Sequence, residues 1–95
     1  MELKQAIEKI ESFKELKQNW NTYDANPFTE KLINKAIDLV KQMNPTPFVS
    51  PTGRDSIQFE WEIGGLYLEM EIYEDKIEIY NEYENRGETT VSIEE

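Results

Sequence analysis

The chain contains neither cysteine nor histidine among its 95 residues. Without cysteine it can form no disulfide, no thiolate metal site and no thiol nucleophile. Without histidine it lacks the side chain that most often serves as a general base and as a transition-metal ligand. We therefore expect a protein that is not an enzyme and that binds no cofactor and no metal ion.

Carboxylates are the abundant groups left for catalysis or metal binding. Asp24, Asp55 and Glu60 are conceivable ligands for Mg²⁺ or Ca²⁺, and a carboxylate pair is the machinery of a glycosidase. Acids make up 20 of the 95 residues, so some must be neighbours by chance, and the sequence contains no EF-hand loop. The enzyme hypothesis is therefore the weaker one.

Long apolar runs are also missing. No segment approaches the roughly 20 apolar residues that span a bilayer, and the N-terminal Met1-Glu2-Leu3-Lys4-Gln5 has no basic start followed by an apolar stretch. We expect a cytoplasmic protein. Its length is typical of one domain, and 38% apolar residues, with 12% aromatic residues, suffice for one core.

Cationic residues are scarce in the second half of the chain. Residues 1–45 hold seven lysines and seven acids, whereas residues 46–95 hold three basic residues and thirteen acids. The whole net charge of -10 therefore arises in the second half. Direct binding to nucleic acid or to an anionic membrane is not expected, because both require a cationic surface.

Residues 1–44 have the spacing of a helical hairpin. Apolar residues recur at steps of three and four from about residue 2 to 18, which predicts a first helix. The Asn-rich segment 19–27 ends it. Thr29 is a good N-cap for a second helix, which stops at Asn44-Pro45. The predicted buried stripes are Leu3, Ala6, Ile7, Ile10, Phe13 and Leu16 in the first helix and Leu32, Ile33, Ala36, Ile37, Val40 and Met43 in the second.

Residues 45–55 contain three of the four prolines and predict an extended connection. This connection could lend Phe48 and Val49 to the core or to an edge strand. Residues 56–95 alternate apolar and polar side chains, which predicts antiparallel strands, the last at 89–93 after a turn at Asn85-Arg86-Gly87. We expect one α+β domain, with two N-terminal helices packed on one face of a three- or four-stranded antiparallel β-meander.

Two short turns set the predicted register. Gly64-Gly65 is a two-residue hairpin signal, so residues whose numbers add to 129 face one another. If Glu74-Asp75 is also a two-residue turn, residues whose numbers add to 149 pair in the same way, whereas a three-residue turn shifts that register. One face of the sheet is then apolar and is predicted to pack on both helices: Ile57, Phe59, Trp61, Ile63, Leu66, Leu68, Met70, Ile72, Ile77 and Ile79.

The other face of the predicted sheet is acidic, and no lysine or arginine is expected within its strands. Like charges opposite one another cost roughly a few tenths of a kcal/mol per pair, so stability alone favours interleaved lysines. The acids either keep a small domain soluble or dock a basic partner, with tyrosines adding contact area. The predicted partner-binding residues on this face are Glu60, Glu62, Glu69, Glu71, Glu78, Glu82, Tyr67, Tyr73 and Tyr80.

Three other aromatic residues are partner-anchor candidates. Trp20 continues the buried stripe of the first helix, and Trp61 points to the apolar face of its strand, so both are interpreted as core residues. Tyr23 lies in the Asn-rich loop. It is therefore predicted to join the partner-binding surface.

Two segments resemble a loosely defined group of small bacterial and phage proteins. One is Asn19-Trp20-Asn21-Thr22-Tyr23-Asp24-Ala25-Asn26-Pro27, and the other runs from Pro51-Thr52-Gly53 into Ile57-Gln58-Phe59-Glu60-Trp61. The resemblance carries over no catalytic residue and no established activity. It implies an accessory product of a mobile element, and a loop around Trp20 that packs beside the 53–61 segment.

The charge pattern and this resemblance predict a non-enzymatic, acidic protein-binding module. It would inhibit or regulate a basic toxin, nuclease or effector that acts on nucleic acid, as an antitoxin, an immunity protein or a DNA-mimicking anti-defence (anti-CRISPR) protein does. The alternative is a small structural or self-associating accessory protein. In that case an exposed edge strand or the helix surface makes a homodimer, and the acids serve solubility only.

Overall fold

A computed structural model of the chain describes residues 1–83 and 88–94. Five strands form one antiparallel sheet in the order β1-β2-β3-β4-β5, and two helices precede it. The α+β class is confirmed, with five strands instead of three or four. The elements are α1 (Leu3–Ser12), α2 (Glu30–Val40), β1 (Phe48–Pro51), β2 (Ile57–Ile63), β3 (Leu66–Ile72), β4 (Lys76–Tyr83) and β5 (Glu88–Glu94).

The additional strand, β1, is formed by the proline-rich connection. In β1, Val49 pairs with Phe59 and is buried, whereas Phe48 is 51% exposed. Pro51 is compatible with β1 because β1 is an edge strand. β5 forms the other edge, and the turn predicted at Asn85-Arg86-Gly87 lies outside the described residues.

The first helix is shorter than predicted. α1 ends at Ser12 and continues only as a 3₁₀ turn, Phe13–Glu15, after which the chain is extended. Asn19 favours a loop here, because its side-chain Oδ1 accepts from the backbone N–H of Asp24 at 2.8 Å, and its own backbone N–H donates to the carbonyl of Ala25 at 2.7 Å. Trp20 therefore belongs to this loop and not to the buried stripe of α1.

The second helix begins as predicted. Thr29 accepts a hydrogen bond through Oγ1 from the backbone N–H of Leu32 at 3.1 Å, which satisfies a free amide of the first turn. α2 ends at Val40, before the predicted stop at Asn44-Pro45, so Met43 lies beyond its end. Within residues 1–83 and 88–94, neither helix has the length and apolar content needed to cross a bilayer.

Both predicted registers are confirmed. The Gly64-Gly65 turn has positive φ at both residues, 53° and 84°, as the common two-residue hairpin turn requires. The turn at 74–75 also has two residues, since the backbone N–H before it bonds to the carbonyl after it at 2.9 Å. The paired residues include Glu60 with Glu69 and Glu71 with Glu78.

The core lies between the helices and one part of the sheet. α1 packs against α2 and against β1, and α2 reaches the turn after β3, where Lys35 donates to the Tyr73 carbonyl. The buried apolar side chains of this core are Ala6, Ile10, Phe13, Leu32, Ile33, Ala36, Val40, Val49, Ile57, Phe59 and Ile72.

The helices pack on the apolar face of the sheet as predicted, but they do not cover all ten of the residues expected in the core. Ile63 is 53% exposed, and Leu68 and Ile77 are only half-buried. Helices of 10 and 11 residues are about 15 Å long and about 10 Å wide, whereas the sheet is about 20 Å wide and its strands are about 25 Å long. Part of the face is therefore uncovered. Asn81 also lies on it, opposite Leu68.

Candidate functional site

The side chains that point away from the helices form a three-by-three grid on β2, β3 and β4. Successive residues of a strand point to opposite faces, and the register aligns the outward residues of the three strands. All six predicted glutamates and two of the three tyrosines lie in this grid. Its rows are Glu62-Tyr67-Glu82, Glu60-Glu69-Tyr80 and Gln58-Glu71-Glu78.

Tyr73 lies one residue beyond the end of β3, and it still belongs to this surface. Its hydroxyl donates a hydrogen bond to Glu71 Oε2 at 2.6 Å. We call the nine predicted residues the acidic face: Glu60, Glu62, Glu69, Glu71, Glu78, Glu82, Tyr67, Tyr73 and Tyr80.

Neutral donors hold several of these carboxylates in place. Tyr67 donates from its hydroxyl to Glu69 at 2.9 Å, and Tyr80 donates to Glu82 at 3.2 Å. In each pair the two residues are two apart on one strand, which places them on the same side. The rings of Tyr67 and Tyr80 also meet edge to face, with centroids 6.1 Å apart. The tyrosines therefore fix the positions of these carboxylates without placing a positive charge beside them.

The surroundings of two of these tyrosines, Tyr67 and Tyr73, favour the protonated hydroxyl. Burial raises the pKa of Tyr67, and so do the hydrogen bond to Glu69 and the negative charges around it. Burial likewise raises the pKa of Tyr73, together with its bonds to Glu71 and Glu78. Both side chains therefore act as neutral hydrogen-bond donors.

One end of the acidic face is neutralised. Arg54 donates two hydrogen bonds to the Glu71 carboxylate, from Nε at 2.9 Å and from Nη2 at 3.2 Å, and Ser56 Oγ donates a third at 2.7 Å. Burial alone would raise the pKa of Glu71, but the hydrogen bonds from Arg54, Tyr73 and Ser56 outweigh it and hold that pKa below its ordinary value. Glu71 is thus a structural anchor for the 52–56 loop.

Lys76 also lies at this end. Its Nζ is 4.0 Å from Glu78 Oε2 and stands over the ring of Tyr73 at 4.6 Å. The expectation that no basic residue lies within the strands is wrong here, because β4 begins at Lys76. Sequence reasoning also missed Arg54, which stands outside the strands and reaches a residue 17 positions away.

The other two rows carry no such compensation. Among the residues that the structure describes, no lysine or arginine forms an ion pair with four of the glutamates. Glu60 and Glu69 stand directly opposite one another, where side chains are about 5 Å apart at Cβ. We call Glu60, Glu62, Glu69 and Glu82 the unpaired glutamates.

Tyr23 lies in the loop between the two helices and is not part of the grid. It is 86% exposed, and within the described part of the chain it makes no hydrogen bond or ring contact through its side chain with the acidic face. Asn21 Oδ1 accepts from the backbone N–H groups of Tyr23 at 2.9 Å and of Ala25 at 3.1 Å. The loop therefore presents the ring on a backbone held by its own hydrogen bonds, with positive φ at Asn19, Thr22 and Asp24.

The two segments that carry the resemblance lie together. Asn26 Nδ2 donates to both carboxylate oxygens of Asp55, at 3.2 and 3.3 Å. A Cβ at Gly53 would lie only 2.7 Å from Asn21 Nδ2, so glycine permits the close approach of the loop. Several residues of the two segments thus serve to pack the two loops together.

The two tryptophans have structural roles. Trp20 is half-buried, stacks on Phe28 with ring centroids 5.9 Å apart, and donates from Nε1 to the Asn26 carbonyl at 3.0 Å. Trp61 is half-buried against the core and donates from Nε1 to the carbonyl of Pro45 at 2.6 Å. Trp61 fits its predicted place, whereas Trp20 packs in the loop.

The conceivable metal ligands are placed on different elements. Asp24 accepts from Gln18 at 3.0 Å, Asp55 accepts from Asn26, and Glu60 accepts from Gln58 at 2.8 Å. Within residues 1–83 and 88–94, no three acidic side chains converge on a site that could hold a metal ion. No protein-family model, no curated protein and no solved structure matches this chain, so function is argued from its geometry.

Proposed function

We propose that this chain is a non-enzymatic, acidic protein-binding module whose acidic face docks the cationic surface of another protein. The partner is a basic protein that itself acts on nucleic acid, and the chain inhibits or regulates it in the manner of an antitoxin, an immunity protein or an anti-defence inhibitor. The observation that carries this proposal is the set of unpaired glutamates, which stand in register on one side of the sheet.

The arrangement has an energetic cost that no ion pair among the described residues offsets. Glu60 opposite Glu69 is a like-charge pair, and glutamate is a poor strand former. Lysines are plentiful in the helical half, with seven in residues 1–45, but the helices cover the other side of the sheet. A cationic partner supplies the missing compensation.

The spacing of the charges suits a surface built for phosphates. Carboxylates repeat at about 5 Å across the strands and at about 7 Å along them. A protein that neutralises a nucleic-acid backbone offers rows of lysine and arginine to such an array of negative charges. Occupation of those rows would block the partner's own substrate.

The tyrosines add aromatic contact area to the charged surface. Tyr67 and Tyr80 are half-buried among the carboxylates and offer ring area with a polar tip, a combination common at protein interfaces. The carboxylates raise the association rate by steering, and the rings slow dissociation.

Charge reversal on the grid tests this proposal. We expect the variant Glu60→Lys, Glu62→Lys, Glu69→Lys to lose a basic protein that the wild-type chain captures from its host's lysate, as identified by mass spectrometry. The matched control is Glu8→Lys, Glu11→Lys, Glu15→Lys, which changes the net charge equally on the exposed side of the α1 region. It is expected to keep the partner.

Circular dichroism establishes that each variant is folded. Binding to the purified partner should weaken steeply as ionic strength rises, because steering between exposed charges is screened over about 10 Å at 0.1 M salt. Equal capture by the grid variant and the helix control would refute the proposal and favour the alternative in which the acids serve solubility only.

A further inference from the structure

The helix side of the sheet has an apolar area that neither helix covers. Ile63 is 53% exposed and Ile93 is 48% exposed, although both point to the side on which the core lies. The register continues this area across β3 and β4. We call it the open apolar face: Ile63, Leu66, Leu68, Ile77, Ile79 and Ile93.

Two depressions border this face. One, of about 240 Å³, lies where the chain leaves α2, and Met43, Pro45 and Trp61 form its wall beside Leu66 and Leu68. The second is a groove between α2 and the last two strands, with Leu39 on the helix and Ile77 and Ile93 on the sheet. Contiguous apolar residues left accessible and rimmed by polar groups mark interaction sites.

The polar groups around the face contain both signs of charge. Lys31, Lys35 and Asp38 of α2 line the groove together with Glu74. Lys35 Nζ also donates to the carbonyls of Tyr73, at 2.6 Å, and Glu74, at 3.3 Å, which fixes it at the rim. The helix wall carries two lysines and one carboxylate and the other wall carries Glu74, so a two-fold rotation can bring the lysines of one copy to Glu74 of the other.

Asn81 is a second group that can pair with its own copy across a two-fold axis. Its side chain lies on the helix side of β4, opposite Leu68. An amide both donates and accepts hydrogen bonds, so it can pair with the same residue of another copy. A two-fold interface uses one surface patch twice and requires this kind of self-complementarity.

We infer that two copies of this chain associate through the open apolar face about a two-fold axis. The acidic faces then point away from the interface on opposite sides of the dimer, so the charge of -10 per chain opposes association least in this arrangement. The inference does not depend on the proposed partner. If both hold, one dimer presents two docking surfaces.

Neighbouring positions on β5 give a matched test. Ile93→Glu places a carboxylate on the open apolar face, and Ser92→Glu places one on the opposite side, where Ser92 pairs with Glu78. Both native residues are exposed, so neither change fills the core. In sedimentation equilibrium we expect the wild type and Ser92→Glu to approach twice the chain mass of 11.3 kDa, and Ile93→Glu to dissociate at least about tenfold more readily.

Ile63→Glu, at the other end of the face, provides a second variant should Ile93→Glu fail to fold by circular dichroism. High salt adds a readout, because an apolar interface persists where the acidic complex weakens. A monomeric wild type at every concentration would overturn the inference and leave the face to an apolar segment of another protein. A dimer as stable in Ile93→Glu or Ile63→Glu as in Ser92→Glu would also overturn it.

Discussion

Glu69 and Glu71 lie two residues apart on β3 and point to the same side, yet their surroundings differ. Glu71 receives bonds from Arg54, Ser56 and Tyr73, and its side chain is 12% exposed. Glu69 receives one bond from Tyr67 and stands opposite Glu60. The same residue type is thus used once to stabilise the fold and once opposite a like charge, and the proposed docking gives the second use a function.

The largest effect is expected from Glu71→Ala. This change removes the acceptor of a bidentate arginine and of a buried serine, and hydrogen bonds to a charged group contribute about 1.5–3 kcal/mol. We expect the free energy of unfolding, measured with urea, to fall by about 2 kcal/mol. Glu69→Ala is the matched control and is expected to change it by less than about 0.5 kcal/mol. Equal losses would abolish the distinction between the two residues.

The pH dependence of the unfolding free energy tests the role of Glu71 in a second way. The pKa of folded Glu71 lies below its ordinary value of 4.5, so the folded state holds the charged form more strongly than the unfolded state does. Its stabilising contribution is complete above that value and is lost as the pH falls through the folded pKa. The difference in unfolding free energy between the wild type and Glu71→Ala should therefore shrink on acidification. A difference that is constant with pH would contradict the assignment.

Local signals in the sequence sufficed for the elements that local chemistry controls. Gly64-Gly65 forms the expected turn because glycine adopts the positive φ that both positions require, and the register of β2, β3 and β4 follows from that turn and the one at 74–75. Thr29 caps α2 through a bond to a residue three positions away. Alternation with a period of two then separates acidic from apolar side chains.

Contacts between distant segments could not be read in the same way. Arg54 neutralises Glu71 from a loop 17 residues earlier, and periodicity carries no information on such a pair. After α1 the chain enters a loop that is closed by bonds between Asn19 and residues five and six positions later, although the apolar stripe of the helix continues to Leu16. The incomplete cover of the sheet depends on where the helices dock, and their own sequences do not specify this.

The variant Glu60→Gln, Glu62→Gln, Glu69→Gln tests the central claim most directly. It keeps the shape of the grid and removes only the negative charges of these three glutamates. Its affinity is measured for the basic protein that the wild type captures, with Glu8→Gln, Glu11→Gln, Glu15→Gln as the control. We expect the grid variant to bind at least about tenfold more weakly, while its free energy of unfolding rises by roughly a few tenths of a kcal/mol as repulsion is relieved. Binding as tight as that of the control would contradict the claim that the unpaired glutamates form the docking surface.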